Sequence, residues 1–118
     1  MNEWIYKNEI AQDSIFLGFI GFVYIIINKK TQMKYIGKKI LKYNNNKNSG
    51  WKKYYGSNKQ LLQEKCKIGE ENFERTILYL CKSKSEMSYL EAKEQFLRDV
   101  LLKPNEYYNG WIMVKVCN

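Results

Sequence analysis

The chain has 118 residues, enough for one domain with a modest hydrophobic core. Its 20 Lys and Arg residues exceed its 12 Asp and Glu residues, and the net charge of +8 predicts an anionic partner, either nucleic acid or an acidic membrane surface. Histidine is absent, which excludes a His-containing zinc site and a His-based catalytic triad. The three cysteines form no C-x-x-C pair, which excludes a zinc knuckle, and their odd number fits a reducing cytoplasm.

The most apolar segment runs from Ile15 to Ile27. It is shorter than the roughly 20 residues that a membrane-spanning helix needs. Acidic residues precede it, whereas a signal peptide begins with a basic region. Its second half is rich in β-branched and aromatic residues, so we predict a buried central strand over 23–28, no membrane partner and a cytoplasmic location.

A hairpin and a helix are predicted next. Residues 29–32 are polar and form the turn to a second strand over 33–36. Residues 42–53 are rich in asparagine and lysine and predict an exposed loop. Ser57 and Gln60 have capping-box spacing and Gly69 is a C-cap, so we predict a helix over 58–68.

The C-terminal third predicts a strand, a helix and an extended piece. Residues 72–81 read as a third strand, a capping box at 83–86 begins a helix that ends near Leu102, and 107–116 are extended. We therefore predict a single α/β (α+β) domain over 1–118, with its core at about 21–111. It is a small sandwich whose three-stranded, mostly antiparallel central sheet is flanked by helices.

The positive charge is concentrated in one third of the chain. From Lys29 to Lys67 there are twelve lysines and one acid, a local charge of +11, while the remainder carries −3. Tyrosines and a tryptophan lie between these lysines. Because lysine neutralises phosphates and aromatic rings stack on bases, this stretch favours nucleic acid as the partner.

Two tyrosine motifs flank the hairpin turn, Phe22-Val23-Tyr24 and Tyr35-Ile36-Gly37. Their tyrosines are eleven residues apart, so the hairpin can place them opposite each other with both hydroxyls on one face. The second motif resembles the Tyr-Ile-Gly of the GIY-YIG nuclease family, and the first keeps only the tyrosine of Gly-Ile-Tyr. Glu91 and Asn109 match the family's later glutamate and asparagine.

The resemblance is closer still to the phage-encoded Seg-type homing endonucleases of that family. Four segments carry it, namely 35–39, 51–57, 72–78 and 107–109, and it covers about residues 21–111. It implies a GIY-YIG nuclease-like fold, DNA as the partner and, for a phage gene, the cytoplasm of the bacterial host.

The resemblance also implies a chemistry, the hydrolysis of phosphodiester bonds with one Mg²⁺ or Mn²⁺ ion. Glu91 is the implied metal ligand, with Glu94 in reserve, because Mg²⁺ keeps several waters and needs few protein ligands. Tyr24 or Tyr35 would orient the attacking water, or deprotonate it if a neighbouring lysine lowered the tyrosine's pKa. Asn109 would hold the site together by hydrogen bonds.

The complete set of predicted site residues follows from these arguments. The catalytic candidates are Tyr24, Tyr35, Lys38, Lys39, Tyr55, Glu91 and Asn109. The candidates for nucleic-acid binding are Lys34, Lys42, Lys52, Lys53 and Lys59. Helical spacing predicts that Leu90, Leu97 and Leu101, extended by Phe96 and Val100, pack on the sheet, and that Glu91 lies at the border of this stripe.

The chain departs from the family at two positions. Members carry an arginine on the helix after Tyr-Ile-Gly, and often a histidine nearby, whereas this chain has only Arg75 and Arg98 and no histidine. Lys38, Lys39 or Lys42 could replace the arginine's charge, and Tyr54 or Tyr55 the histidine.

Three functions stay open on the sequence alone. The first is a divalent-metal-dependent DNA endonuclease, and the alternative is a catalytically impaired GIY-YIG relative that acts as a DNA-binding module. The third is a basic protein that binds RNA or another partner and has no nuclease ancestry. A single site cuts one strand at a time, so double-strand cleavage would need a homodimer, a partner domain or rotation on the substrate.

Overall fold

The computed structural model describes residues 3–41 and 50–112, which build a five-stranded sheet with one helix on each face. The strands follow the spatial order β2-β1-β5-β3-β4. They are β1 (Trp4–Tyr6), β2 (Glu9–Ile10), β3 (Gly21–Asn28), β4 (Lys34–Ile40) and β5 (Phe73–Cys81). The helices are α1 (Lys59–Ile68) and α2 (Lys84–Leu97). The mixed α/β (α+β) class is confirmed.

The prediction of three strands is wrong, because an N-terminal hairpin adds β1 and β2. β3 pairs antiparallel with β4 and β5, as predicted, and β1 lies parallel to β5 on its other side. Lys7 and Asn8 connect the added strands with φ of 51° and 68°, the left-handed conformation of a tight hairpin turn. Strands of three and two residues are too short for a recognisable alternation.

Several predicted boundaries also shift. β4 extends to Ile40, and α1 is capped by Asn58, whose Oδ1 accepts the N–H of Leu61 at 3.0 Å. Ser83 caps α2 as predicted. That helix ends at Leu97 rather than near Leu102, because Asp99 adopts a left-handed conformation (φ 53°) before a 3-10 turn at Val100–Leu102.

The two predicted irregular segments lie partly outside the described residues. Residues 42–49 of the predicted loop fall there, and Trp51–Lys53 form a 3-10 turn. Residues 113–116 of the predicted extended piece fall there as well. Its described part has no strand and makes one bridge, between Tyr107 and Lys34.

The core lies on both faces of β3, because alternate residues of a strand point to opposite faces of the sheet. Phe22, Tyr24 and Ile26 pack with Trp4 and Leu61 on the side of α1. On the side of α2 a second cluster forms around Val23, Ile25, Ile36, Met87 and Val100. Burial on both faces explains why the strand reads as a continuous apolar run. None of the helices among residues 3–41 and 50–112 is long and apolar enough to span a membrane.

The predicted apolar stripe of α2 is wrong for Phe96, Leu97 and Leu101, whereas Leu90 and Val100 pack in the second cluster as predicted. Phe96 and Leu97 are 57% and 68% exposed, whereas Glu94 and Gln95 are buried against the sheet. Polar side chains can face inward here because each finds a partner. Glu94 accepts the hydroxyl of Tyr79 at 2.7 Å, and Gln95 Nε2 donates to the carbonyl of Ile36 at 3.2 Å. Helical geometry therefore places Glu91 on the inward face rather than at its border.

Candidate active site

A cleft of about 450 Å³ opens along the edge strand β4, between the start of α1 and the inward face of α2. It brings together side chains that are up to 87 residues apart in the sequence, from Tyr24 to Trp111. The predicted site residues that line it are Tyr24, Tyr35, Lys38, Lys59, Glu91 and Asn109. Because β4 is at the sheet edge, residues from both faces of the sheet reach this cleft.

Tyr24 and Tyr35 meet on one face of the hairpin, as predicted. Their ring centroids are 6.2 Å apart. The register pairs Tyr24 with Gly37 and Tyr35 with Ile26, so the tyrosines are diagonal neighbours rather than directly opposite. The Tyr24 ring therefore extends across the backbone of Gly37.

Two glycines leave the space that the Tyr24 ring occupies. A Cβ atom at Gly37 would lie 2.5 Å from Cζ of Tyr24 and 2.9 Å from Cε2 of Tyr35. A Cβ atom at Gly56 would lie 3.2 Å from the Tyr24 hydroxyl. Gly37, the last residue of the second tyrosine motif, is therefore required for steric reasons, since any larger residue would displace both rings.

Both tyrosines are protonated at neutral pH. Burial raises the pKa of Tyr24 well above 10.0, and nearby Tyr54 and Tyr35 raise it further. Burial also raises the pKa of Tyr35, and a hydrogen bond with Ser57 opposes this shift only in part. Among the described residues, no lysine contributes to the pKa of either tyrosine, so the condition for deprotonating water is not met and both hydroxyls keep their protons.

Glu91 forms the acidic part of the cleft. Its side chain is 13% exposed, and Oε1 lies 3.5 Å from Lys38 Nζ. Burial raises the pKa of the Glu91 carboxyl above 4.5, and Lys38 partly opposes that shift. Lys38 Nζ also donates to Ser88 Oγ at 2.9 Å. Glu91 is thus a partly buried carboxylate whose charge is balanced by one cation.

Asn109 fastens the C-terminal segment to β4. Its Oδ1 accepts the N–H of Ile36 at 3.0 Å, and its Nδ2 donates to the carbonyl of Ile36 at 2.9 Å. Edge-strand backbone groups otherwise lack partners within the sheet. The amide therefore satisfies both groups and fixes one wall of the cleft, while its predicted role in the site stays a prediction.

Tyr55 and Lys39 are not brought to the cleft. Tyr55 is 5% exposed, and its ring lies between the Arg75 guanidinium at 4.0 Å and Lys65 Nζ at 4.5 Å. Lys39 Nζ lies 4.4 Å from the centre of the Tyr54 ring. Lys39 shares a face of β4 with Tyr35, but it lies four residues, or about 13 Å, further along the strand, so its ammonium reaches the Tyr54 ring rather than the cleft.

Among the five predicted nucleic-acid-binding lysines, Lys59 lines the cleft. Lys34 lies over the Tyr107 ring at 5.5 Å, and Lys52 Nζ is 3.8 Å from an oxygen of Asp13. Lys53 is exposed, away from the cleft lining. Lys42 lies outside the described residues, so its predicted role stays a prediction.

Neither arginine lines the cleft. Arg75 is 2% exposed and donates to the carbonyl oxygens of Lys52 at 3.0 Å and Tyr54 at 2.7 Å. Arg98 bonds Glu94, the reserve ligand, at 3.1 Å. The cations on the described lining are therefore Lys38 and Lys59.

Five lining residues were not among the sequence candidates: Ser57, Asn58, Gln95, Gly110 and Trp111. Ser57 ends one of the segments that carried the family resemblance, which was a usable signal. Gln95 was not identified because its helical periodicity places it on the face of α2 that the apolar pattern predicted to be exposed. Trp111 is 66% exposed, and nothing in the local sequence marks it as part of the site.

The cleft suits a cation that keeps most of its water. Residues 3–41 and 50–112 contain no group of three or more His, Cys, Asp and Glu side chains that could hold a metal ion. Glu91 is the carboxylate of the described lining. Mg²⁺ binds through one or two carboxylates together with waters and substrate phosphates, so this single carboxylate fits Mg²⁺ and not a closed zinc site.

Comparisons with known proteins give matches over most of the chain. A family model described as "Putative endonuclease segE, GIY-YIG domain" matches residues 4–112. The chain is 40% identical over 88 residues to the "Putative endonuclease segE" of Enterobacteria phage T4. The aligned region is 75% of this chain and 39% of that protein, so the chain spans about two fifths of its relative's length. No solved structure gives a significant match.

Proposed function

The chain belongs to the GIY-YIG family, as its motifs predicted, and we propose that it is a divalent-metal-dependent endonuclease that hydrolyses DNA phosphodiester bonds in the cleft at β4. One observation carries the proposal. Two tyrosine hydroxyls, a lysine and a partly buried carboxylate, from β3, β4 and α2, line one cleft. Phosphoryl transfer needs this combination of positive charge, oriented donors and a cation ligand.

Lys38 and Lys59 would bind the scissile phosphate and its neighbour. They approach the cleft from β4 and from the first turn of α1. Lys38 is positioned by Ser88 and Glu91, so its ammonium is already fixed when DNA arrives. It would supply the charge that the family's arginine supplies, although as a point charge without the two-pronged geometry of a guanidinium.

Tyr24 and Tyr35 would orient the reacting groups by donating hydrogen bonds. Their raised pKa values keep both hydroxyls protonated, and the slot at Gly37 holds the rings in place. A donor fixed before the substrate binds lowers the cost of stabilising developing charge on phosphate oxygens. Trp111, exposed at the rim, offers a ring face on which a base could stack.

Glu91 would hold the single Mg²⁺ or Mn²⁺ ion. When bound, such an ion stabilises negative charge on phosphate oxygens and on the leaving oxygen. Lys38 balances the Glu91 carboxylate in its absence, which lets this charge stay partly buried. The phosphate would then compete for Lys38 and free the carboxylate for the cation.

The second candidate function is a DNA-binding module without turnover. It is favoured by one observation, the lack of an arginine on the described cleft lining. Both candidates predict DNA binding that weakens with salt, and they differ in whether the chain cuts.

Supercoiled plasmid distinguishes the two functions. We expect nicked circles with Mg²⁺ or Mn²⁺ and none with EDTA, and nicked circles should precede linear product because one cleft cuts one strand. Tyr35→Phe, purified identically, should be slower by about 10²-fold. Binding without nicks under either metal would establish the DNA-binding module. Equal nicking by Tyr35→Phe would remove the cleft as the site.

A further inference from the structure

The outward side of α1 presents a basic surface that begins at the cleft residue Lys59 and extends beyond the cleft. Lys59, Gln63, Cys66 and Lys67 recur at helical spacing and are all exposed. We call these four residues the α1 face. Leu61, on the opposite side of the helix, is fully buried against the sheet.

The α1 face carries no negative charge. Glu64 is the acidic residue of α1, and it points away from this face. Its Oε1 accepts the Tyr108 hydroxyl at 2.6 Å and lies 3.3 Å from Asn28 Nδ2. Within residues 3–41 and 50–112, Lys59 and Lys67 make no ion pair. Both ammonium groups are therefore available to an anion.

The α1 face is continuous with the cleft. Ser57 and Lys59 line the cleft, and they also line a shallow groove that continues along α1 past Gln63 and Cys66 to Lys67. A polymer whose phosphate sits in the cleft would meet this groove as it leaves. A small anion bound in the cleft would not reach the end of the groove at Lys67.

We propose that the α1 face binds the phosphate backbone of the DNA strand that flanks the scissile phosphate, a proposal that rests on the proposed function. At 1.5 Å per helical residue, Lys59 and Lys67 are about 12 Å apart along the helix axis. At 3.4 Å per nucleotide of duplex axis this distance corresponds to roughly three to four nucleotides. Contacts to phosphates carry no sequence information, so this contact should be independent of sequence.

Cys66 provides a direct probe, because its thiol is exposed in the middle of the α1 face while Cys81 is buried. The experiment measures maleimide labelling of Cys66 by peptide mass spectrometry, with EDTA present, with and without a saturating short duplex. DNA should slow Cys66 labelling severalfold. A cysteine placed on α2 by Lys93→Cys, on the opposite side of the sheet, should react at the same rate in both samples.

Lys67→Gln provides the energetic test, with Lys93→Gln as the control of equal charge change. Lys67→Gln should reduce the slope of log Kd against log salt by about 0.9, the value for one phosphate contact. Lys93→Gln should leave the slope unchanged.

The results separate this surface from the proposed function. Plasmid nicking with Cys66 unprotected, or equal slopes for the two glutamine variants, would overturn the α1 face and leave the nuclease intact. Protection of Cys66 by DNA without any nicking would support the α1 face while the nuclease fails.

Discussion

Gly37→Ala should disrupt the tyrosine pair through a single methyl group. The added Cβ would lie 2.5 Å from Cζ of Tyr24, well inside van der Waals contact. The Tyr24 ring cannot retreat, because it is 1% exposed and packs edge-on against Trp4 at 5.3 Å and Tyr54 at 5.9 Å. Overpacking of this kind costs about 1–3 kcal/mol of unfolding free energy.

Thermal unfolding and single-turnover cleavage are the two assays. For a domain of this size the loss in unfolding free energy corresponds to a Tm lower by on the order of 5–15 °C. Cleavage should fall by about 10²-fold even below the Tm, because a displacement near 1 Å misaligns the hydroxyls. Tyr24→Phe in the Gly37→Ala chain should restore only part of the stability, since Cζ remains in the way.

Gly110→Ala is the matched control. Gly110 also lines the cleft, but a Cβ there meets no atom within 4 Å, and its φ is not positive. This variant should be as stable as the wild type or slightly more stable, because alanine restricts the unfolded chain. If Gly37→Ala matched Gly110→Ala in Tm and cleavage, the steric account of the tyrosine pair would be refuted.

Three further predictions follow from the cleft and its supports. Lys38→Met should slow single-turnover cleavage by about 10²-fold or more. Lys39→Met should cut at nearly the wild-type rate, because the Lys39 ammonium lies over the Tyr54 ring and not in the cleft. Glu91 must be ionised to hold a cation, and burial raises the pKa of its carboxyl above 4.5. The value of kcat/KM should therefore fall as the pH is lowered, with the midpoint of the acid limb above pH 4.5. A midpoint at or below pH 4.5 would contradict this. Arg75→Lys should reduce the unfolding free energy by about 1–3 kcal/mol, measured by urea denaturation, because lysine lacks the planar guanidinium that lies over the Trp4 and Tyr55 rings. Arg98→Lys, at a partly exposed helical ion pair, should cost only about 0.5 kcal/mol, and equal losses would refute the role of Arg75.

The parts of the fold that the sequence predicted correctly are those with a strong local pattern. The β3–β4 hairpin follows from a long apolar run, a polar turn and a second short run. Both helices begin at or within one residue of the predicted cap. The spacing of Tyr24 and Tyr35 was enough to place both on one face, because strand alternation is fixed. Their diagonal offset depends on the register, which the spacing alone does not determine.

The parts that could not be predicted depend on contacts between distant segments. The inward face of α2 is polar because Tyr79 and the backbone of Ile36 supply partners for Glu94 and Gln95. A hydrophobic pattern contains no information on such partners, so it favoured the exposed face. The position of Tyr55 could not be predicted for the same reason, because the two cations that hold its ring are Lys65 from α1 and Arg75 from β5.

Glu91 and Glu94 allow the most direct test of the cleft, because the two carboxylates lie one helical turn apart and differ in their surroundings. Glu91 lines the cleft, whereas Glu94 is bonded to Tyr79 and Arg98. The measurement is single-turnover cleavage of a labelled duplex by Glu91→Gln and Glu94→Gln, with DNA affinity and Tm recorded for each. Glu91→Gln should lose metal-dependent cleavage while its Tm stays within a few degrees and its DNA affinity is unchanged. Glu94→Gln should keep cleaving but lose about 1–2 kcal/mol of stability. Cleavage by Glu91→Gln at the wild-type rate would contradict the assignment of this cleft as the site of DNA hydrolysis.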